Sequence, residues 1–243
     1  MANYRVISSD NHVFEPPDLW TSRAKPEFKD RVPQLVREYD GDWWFCNGHR
    51  VIGLAAGTQT GMRFEEPEKL VRTTTFDKVR RGGYDPGAHV TDMDADGVDV
   101  SIVYPTVGLL LYSVPDSALL SEIFRGYNDW LAEFCAGEPK RLKGIAMINV
   151  DDVPEGVREL QRCARMGLAG GMITVYPRRG RGTTIRCTSR CGRRPRIWIF
   201  PLACTSRPTG RAQGRILRSR TATACATPFW LTPTTGCGCL LPI

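Results

Sequence analysis

Asp10 and His12 stand two residues apart at the end of the first apolar run of the chain, Tyr4–Ser9. Side chains at i and i+2 of a strand point to the same face. A carboxylate and an imidazole on one face can hold a divalent cation, zinc first and manganese as the other option. In a parallel barrel the carboxyl ends of the strands form the active-site mouth, which is where such a pair belongs. By itself D-x-H is a frequent coincidence, and its bland reading is an Asp turn residue beside an incidental His. The other two histidines are weaker candidates. His49 lies in a polar Asn-Gly-His-Arg turn and reads as a surface loop residue; His89 reads as a solvated residue ahead of a helix. Asp92, Asp94, Asp96 and Asp99 have the spacing of a calcium loop but lack its Glu at the twelfth position, so calcium is not expected. Trp43 and Trp44 read as packing rather than pocket lining, and Cys46, Cys135 and Cys163 as small buried hydrophobes.

The elements that must position the pair follow from the pattern of apolar residues. After Tyr4–Ser9, Pro16-Pro17 stop regular structure, and residues 18–88 read as irregular, with a hairpin at Trp43–Val51. Thr91 caps a short helix through Asp96, which Gly97 ends. Val98–Tyr104, Gly144–Val150 and Gly171–Tyr176 read as further strands, Asp116–Ala136 and Val153–Met166 as amphipathic helices. Alternation of apolar strands with helices predicts an α/β fold of parallel βαβ units, either a doubly wound sheet or half of a (β/α)8 barrel. A dinucleotide-binding sheet loses ground because no G-x-G-x-x-G follows the first strand; no Walker A or G-x-S-x-G sequence occurs either.

The run SSDNHVFEPPDLW resembles the opening D-x-H-x-x-E-P of the amidohydrolase-related (amidohydrolase 2) family. That family includes aminocarboxymuconate-semialdehyde decarboxylase and γ-resorcylate decarboxylase. GGYDPGAHVTDMDADGVDVSIVYPT, YNDWLAEFC, RLKGIAMINV and GLAGGMITVYP continue the match in order over about residues 4–177. The resemblance implies a TIM barrel, of which residues 1–177 would be the first four βα units with an insertion at 13–90. It implies a metal-dependent hydrolase acting on a small carboxylated or cyclic substrate, with a non-oxidative carboxy-lyase as the alternative. Asp10 and His12 would be its first-strand metal ligands. The later His and Asp ligands of the family have no counterpart in the sequence, so metal binding is expected to be weak and turnover absent. An intact member of the family is expected to be a homo-oligomer. With no leader-like start and no long apolar run, a cytoplasmic protein that does not enter membranes is expected.

Residues 160–243 break this pattern. They contain no Asp, Glu, Lys, Asn or His, but 15 Arg and seven of the nine Cys. Residues 1–159 hold all 26 acids against 18 Lys and Arg, so the net charge of +7 and the pI near 9 come from the tail. Acids make up roughly a tenth of ordinary sequence, so their absence here by chance is on the order of one in ten thousand. A nucleic-acid-binding tail is disfavoured because the Arg clusters follow no helical face and form no recognisable module. A cysteine metal module is disfavoured because C-x3-C and C-x-C do not make a paired framework. Read one base along, Gly182 through Ser206 can encode YDDPLYEPLWAAAQDLDIPLGLHI, and Thr235 onward can encode WVRMSLAD. The first string has an amphipathic helix and an apolar strand tipped by His. Residues 178–243 therefore read as the product of a shifted frame, expected to be irregular.

Overall fold

The computed structural model describes residues 5–54, 74–174 and 198–202. Five strands form one parallel sheet: β1 (Ile7–His12), β5 (Val100–Tyr104), β6 (Leu142–Met147), β7 (Gly170–Thr174) and β8 (Trp198–Leu202). Their spatial order is their chain order, β1-β5-β6-β7-β8. A doubly wound sheet reverses direction at a switch point. Here each strand is added to the same edge, as in a barrel wall, which decides between the two architectures that the pattern of strands and helices leaves open. The parallel arrangement also brings His12, Tyr104, Met147 and Thr174 to one rim.

Local chemistry explains the helices. α1 (Pro86–Ala95) starts where the Asp85 side chain accepts the Ala88 N–H and Pro86 takes a first-turn position. It thus begins earlier than Thr91, because an Asp-Pro pair is the stronger start. α2 (Gly108–Leu111) is a single turn after β5. α3 (Ser117–Ala136) begins at Asp116, which accepts the Ala118 and Leu119 N–H groups. Its apolar stripe includes Leu119, Ile123, Phe124, Tyr127 and Leu131, all essentially inaccessible to solvent. α4 (Val153–Arg165) is capped by Asp152. Gly144 in β6 lets α3 approach the sheet: a Cβ there would lie 2.8 Å from both Leu131 and Leu168 side chains. Asn128 ties α3, β6 and α4 together, bonding Met147 N–H (2.8 Å), Met147 O (3.0 Å) and Glu159 (2.9 Å).

Three expectations shift. The insertion contains an antiparallel sheet, β2 (Gln34–Glu38), β3 (Gly41–Cys46) and β4 (His49–Gly53), so the predicted hairpin has a third strand. Leu35 of β2 is paired opposite Trp44, which is fully buried and meets Trp20 edge to face at 5.3 Å. β6 begins two residues before Gly144, since a strand buried on both faces offers no alternation to mark its ends. The tail is not irregular throughout: Trp198–Leu202 pairs along β7. Trp-Ile-Phe is a β-prone sequence, and β7 offers an open edge. The rest of 178–243 lies outside the described residues. Among those described, no helix is long and apolar enough to cross a membrane.

Candidate metal centre

β1 delivers Asp10 and His12 through an irregularity. Ser8 pairs with Ser101 and Asn11 with Val103, so β1 spends one residue more than β5 over that span. Such a bulge re-aims the side chains beyond it. His12 then stands opposite Tyr104. Its Nε2 lies 3.3 Å from Asp10 Oδ1, so the two side chains face one another as their spacing predicts. The Asp10 side chain is 82% exposed and that of His12 37%, which leaves the pair open to a ligand.

The second ring nitrogen fixes the chemistry of the first. His12 Nδ1 is 2.7 Å from the Pro105 carbonyl, which can only accept, so Nδ1 carries the proton. In the neutral ring Nε2 is then a bare lone pair facing a carboxylate oxygen. Two acceptors at this distance repel unless a cation lies between them, either a proton on Nε2 or a metal ion. A ligating imidazole that donates its other N–H to a backbone carbonyl is the usual outer support of a metal site. The residues present therefore fit a divalent cation. Among the described residues no group of three His, Cys, Asp or Glu converges on one point.

Two neighbours escape the sequence reading. The Tyr104 ring lies 6.0 Å from that of His12. Burial, and then the Asp10 charge, raise its pKa, so the phenol stays protonated. Only strand register reveals its place. Glu15 is buried and accepts the N–H groups of Thr106 (3.1 Å), Val107 (3.1 Å) and Gly108 (2.9 Å) at the start of α2. Burial pushes its carboxyl up, against the pull of those N–H bonds. Glu15 thereby anchors the loop that presents Pro105 to His12. It stands in the D-x-H-x-x-E-P run, but nothing local in the sequence gives it this task.

The remaining candidates fall elsewhere. His49 is exposed, as expected. His89 is not solvated: it sits inside α1, 5% exposed, because the early helix start turns it inward. Asp92 pairs with Arg80, Asp94 with Arg141 at 2.6 Å, and Asp99 accepts the Val6 N–H at 2.8 Å, so these carboxylates are spent on structure. Burial pushes the Cys46 thiol up to about 11 and that of Cys135 to about 12, and raises Cys163 further, as inert core cysteines. A cleft of about 370 Å3 is lined by Arg125, Glu155, Arg158, Glu159, Arg162 and Arg165, on α3 and α4, and includes neither Asp10 nor His12.

No protein-family model matches the chain. Gamma-resorcylate decarboxylase of Rhizobium radiobacter is 33% identical over 93 residues, which is 38% of this chain and 28% of that protein. The corresponding enzyme of Polaromonas sp. is 31% identical over 85 residues, 35% of this chain and 26% of that one. The aligned part thus spans little more than a quarter of these relatives. Among solved structures, an amidohydrolase from Mycobacterium avium subsp. paratuberculosis superposes with a TM-score of 0.57 at 20% identity, covering 72% of this chain and 50% of its own. That likeness concerns the fold alone. The chain's homologues are thus gamma-resorcylate decarboxylases in sequence and an amidohydrolase in fold, each over part of the length, consistent with an amidohydrolase-related protein.

Proposed function

We propose that the chain carries the first-strand half of the metal site of a non-oxidative carboxy-lyase acting on a hydroxylated aromatic acid. The observation that carries this is the Asp10–His12 pair, whose facing acceptor atoms call for a cation. The sequence relatives are decarboxylases, which favours this reaction over the hydrolysis that the family resemblance puts first. In such a reaction the ring carbon–carboxylate bond breaks, CO2 leaves, and a proton takes its place. A bound divalent ion would supply Lewis acidity toward the carboxylate and ring hydroxyl of the acid. Asp10 and His12 would hold that ion, Pro105 O keeps the imidazole in the ligating tautomer, and the neutral Tyr104 ring lies beside it. The test is a Mn2+ and Zn2+ titration of the full chain with and without His12→Ala, alongside CO2 release from 2,6-dihydroxybenzoate. We expect weak binding that His12→Ala removes and no turnover from this chain, because two protein ligands do not make a catalytic zinc shell. Binding unaffected by His12→Ala would end this reading; multiple turnovers abolished by it would show a complete site.

For residues 178–243 we propose a shifted frame, supported by the lack of acids over this stretch. β8 occupies Trp198–Leu202, and the codons of Trp198 to Thr205, one base along, can encode the strand DIPLGLH. A strand in either frame is understandable, since β7 offers its edge to whatever apolar run follows. Resequencing across the codons for Pro177–Gly182 decides it. A missing or extra base is expected, with His in the corrected product where Cys204-Thr205 now stand. An unaltered frame would return the Arg-rich tail to a binding role, to be assayed by salt-dependent nucleic-acid binding.

A further inference from the structure

Behind the Asp10–His12 pair, on the other side of β1, lies a polar cluster that the proposed function does not use. Asn11 Nδ2 donates to Ser101 Oγ at 2.9 Å and lies 3.3 Å from His89 Nε2. Asn11 Oδ1 accepts the His12 backbone N–H at 2.9 Å. His89 Nδ1 lies 2.8 Å from the Gly82 carbonyl, so it carries the proton and Nε2 is left as an acceptor for Asn11. Both N–H groups and the oxygen of the Asn11 amide are therefore engaged. Its partners come from the same strand, the neighbouring strand β5 and helix α1, and the His89 ring is itself fixed edge to face on Phe134 at 5.7 Å.

The cluster sits where β1 and β5 slip out of register, between Ser8 and Asn11. The register resumes at Asn11, opposite Val103, while the Asn11 amide reaches back across the slip to Ser101, which pairs with Ser8 before it. The Asn11 amide oxygen takes the His12 N–H, which points away from β5, since the next N–H along, that of Val13, bonds Tyr104 O at 2.9 Å. The residue between Asp10 and His12 is thus tied to its own strand, to β5 and to α1. An aspartate at position 11 would still accept the His12 N–H but would turn a carboxylate toward the His89 lone pair. Only an amide serves all three contacts.

We propose that Asn11 and His89 are positioning residues for the Asp10–His12 pair: the amide of Asn11, clamped by His89 and Ser101, fixes the bulge that sets the spacing of the two ligands. This rests on the metal reading of that pair. The test uses the full chain and its Asn11→Ala, His89→Leu and His89→Gln variants, with two readouts. One is Mn2+ affinity by calorimetry; the other is hydrogen exchange of the His12 amide, resolved to the residue by fragmentation mass spectrometry without metal. Loss of an outer support typically weakens metal binding 10- to 100-fold, and that is the fall expected for Asn11→Ala. His89→Leu should weaken it less, and His89→Gln, whose carbonyl can accept from Asn11, should stay within about threefold of the unmodified chain. Asn11→Ala with His89→Leu should be no worse than Asn11→Ala alone, because the two act in series. His12 exchange should quicken in Asn11→Ala by about two- to tenfold, corresponding to the loss of one modest hydrogen bond. Unchanged exchange and affinity in Asn11→Ala would overturn the proposal, as would a lowered melting temperature with affinity intact. If the unmodified chain binds no Mn2+, the metal reading fails, and the exchange of His12 decides alone whether Asn11 holds the bulge.

Discussion

His12 suits a cation because of where its two nitrogens are spent among the described residues: one on the Pro105 carbonyl, the other facing the Asp10 carboxylate. The support behind Pro105 is Glu15, so a defect there should reach the site. Glu15→Gln puts an N–H donor where three backbone N–H groups converge. It should cost about 1–3 kcal/mol, the price of leaving a buried donor unmet, and lower the urea midpoint accordingly. A midpoint within error of the unmodified chain would show that the loop after β5 does not depend on Glu15. Glu159 offers a pH test. Burial pushes its carboxyl up, but Arg162, Asn128 and Arg125 outweigh this and hold it below its usual 4.5. A carboxyl depressed in the folded state stabilises above its unfolded pKa, and that stability is lost as pH falls through the lower folded value. Below about pH 4.5 the unmodified chain should therefore lose melting temperature more steeply than Glu159→Gln. Equal slopes would place the acid sensitivity elsewhere.

At the scale of elements, turns and caps carry the instructions that are easiest to read. The β3–β4 turn uses Asn47 at φ 51° and Gly48 at φ 77°, the left-handed pair that a two-residue hairpin requires. A Cβ on Gly48 would meet nothing within 4 Å. Gly48→Ala should therefore cost about 1 kcal/mol from backbone strain alone, measurable by denaturant unfolding; a larger loss would mean a packing role. The same legibility explains α3, whose Asp116 cap and apolar stripe place it almost to the residue. It also explains the misplaced start of α1, where Thr91 resembles a cap but Asp85-Pro86 forms one. Strand limits are less legible because β6 is buried on both faces. The cluster of Asn11, Ser101 and His89 is not legible at all: Asn11 and His89 are 78 residues apart, and only the β1–β5 register brings them together. Asp10 and His12 were accessible to sequence reasoning because two residues in one strand need no tertiary information to share a face.

At the scale of the molecule, an arc of parallel strands presents one rim of strand ends, and Asp10 and His12 lie on it. The charge divides along the chain, acids to residue 159 and arginines beyond, as does the chemistry available to a metal: oxygen and nitrogen on β1, sulfur in the tail. That division allows a direct test. Zinc bound to the full chain can be examined by X-ray absorption at the zinc edge. Ligation by Asp10 and His12 predicts a shell of oxygen and imidazole nitrogen at about 2.0–2.2 Å, with the imidazole signal lost in His12→Ala. A shell dominated by sulfur at about 2.3 Å, unchanged in His12→Ala, would place the metal on cysteines and contradict the assignment of the site to β1.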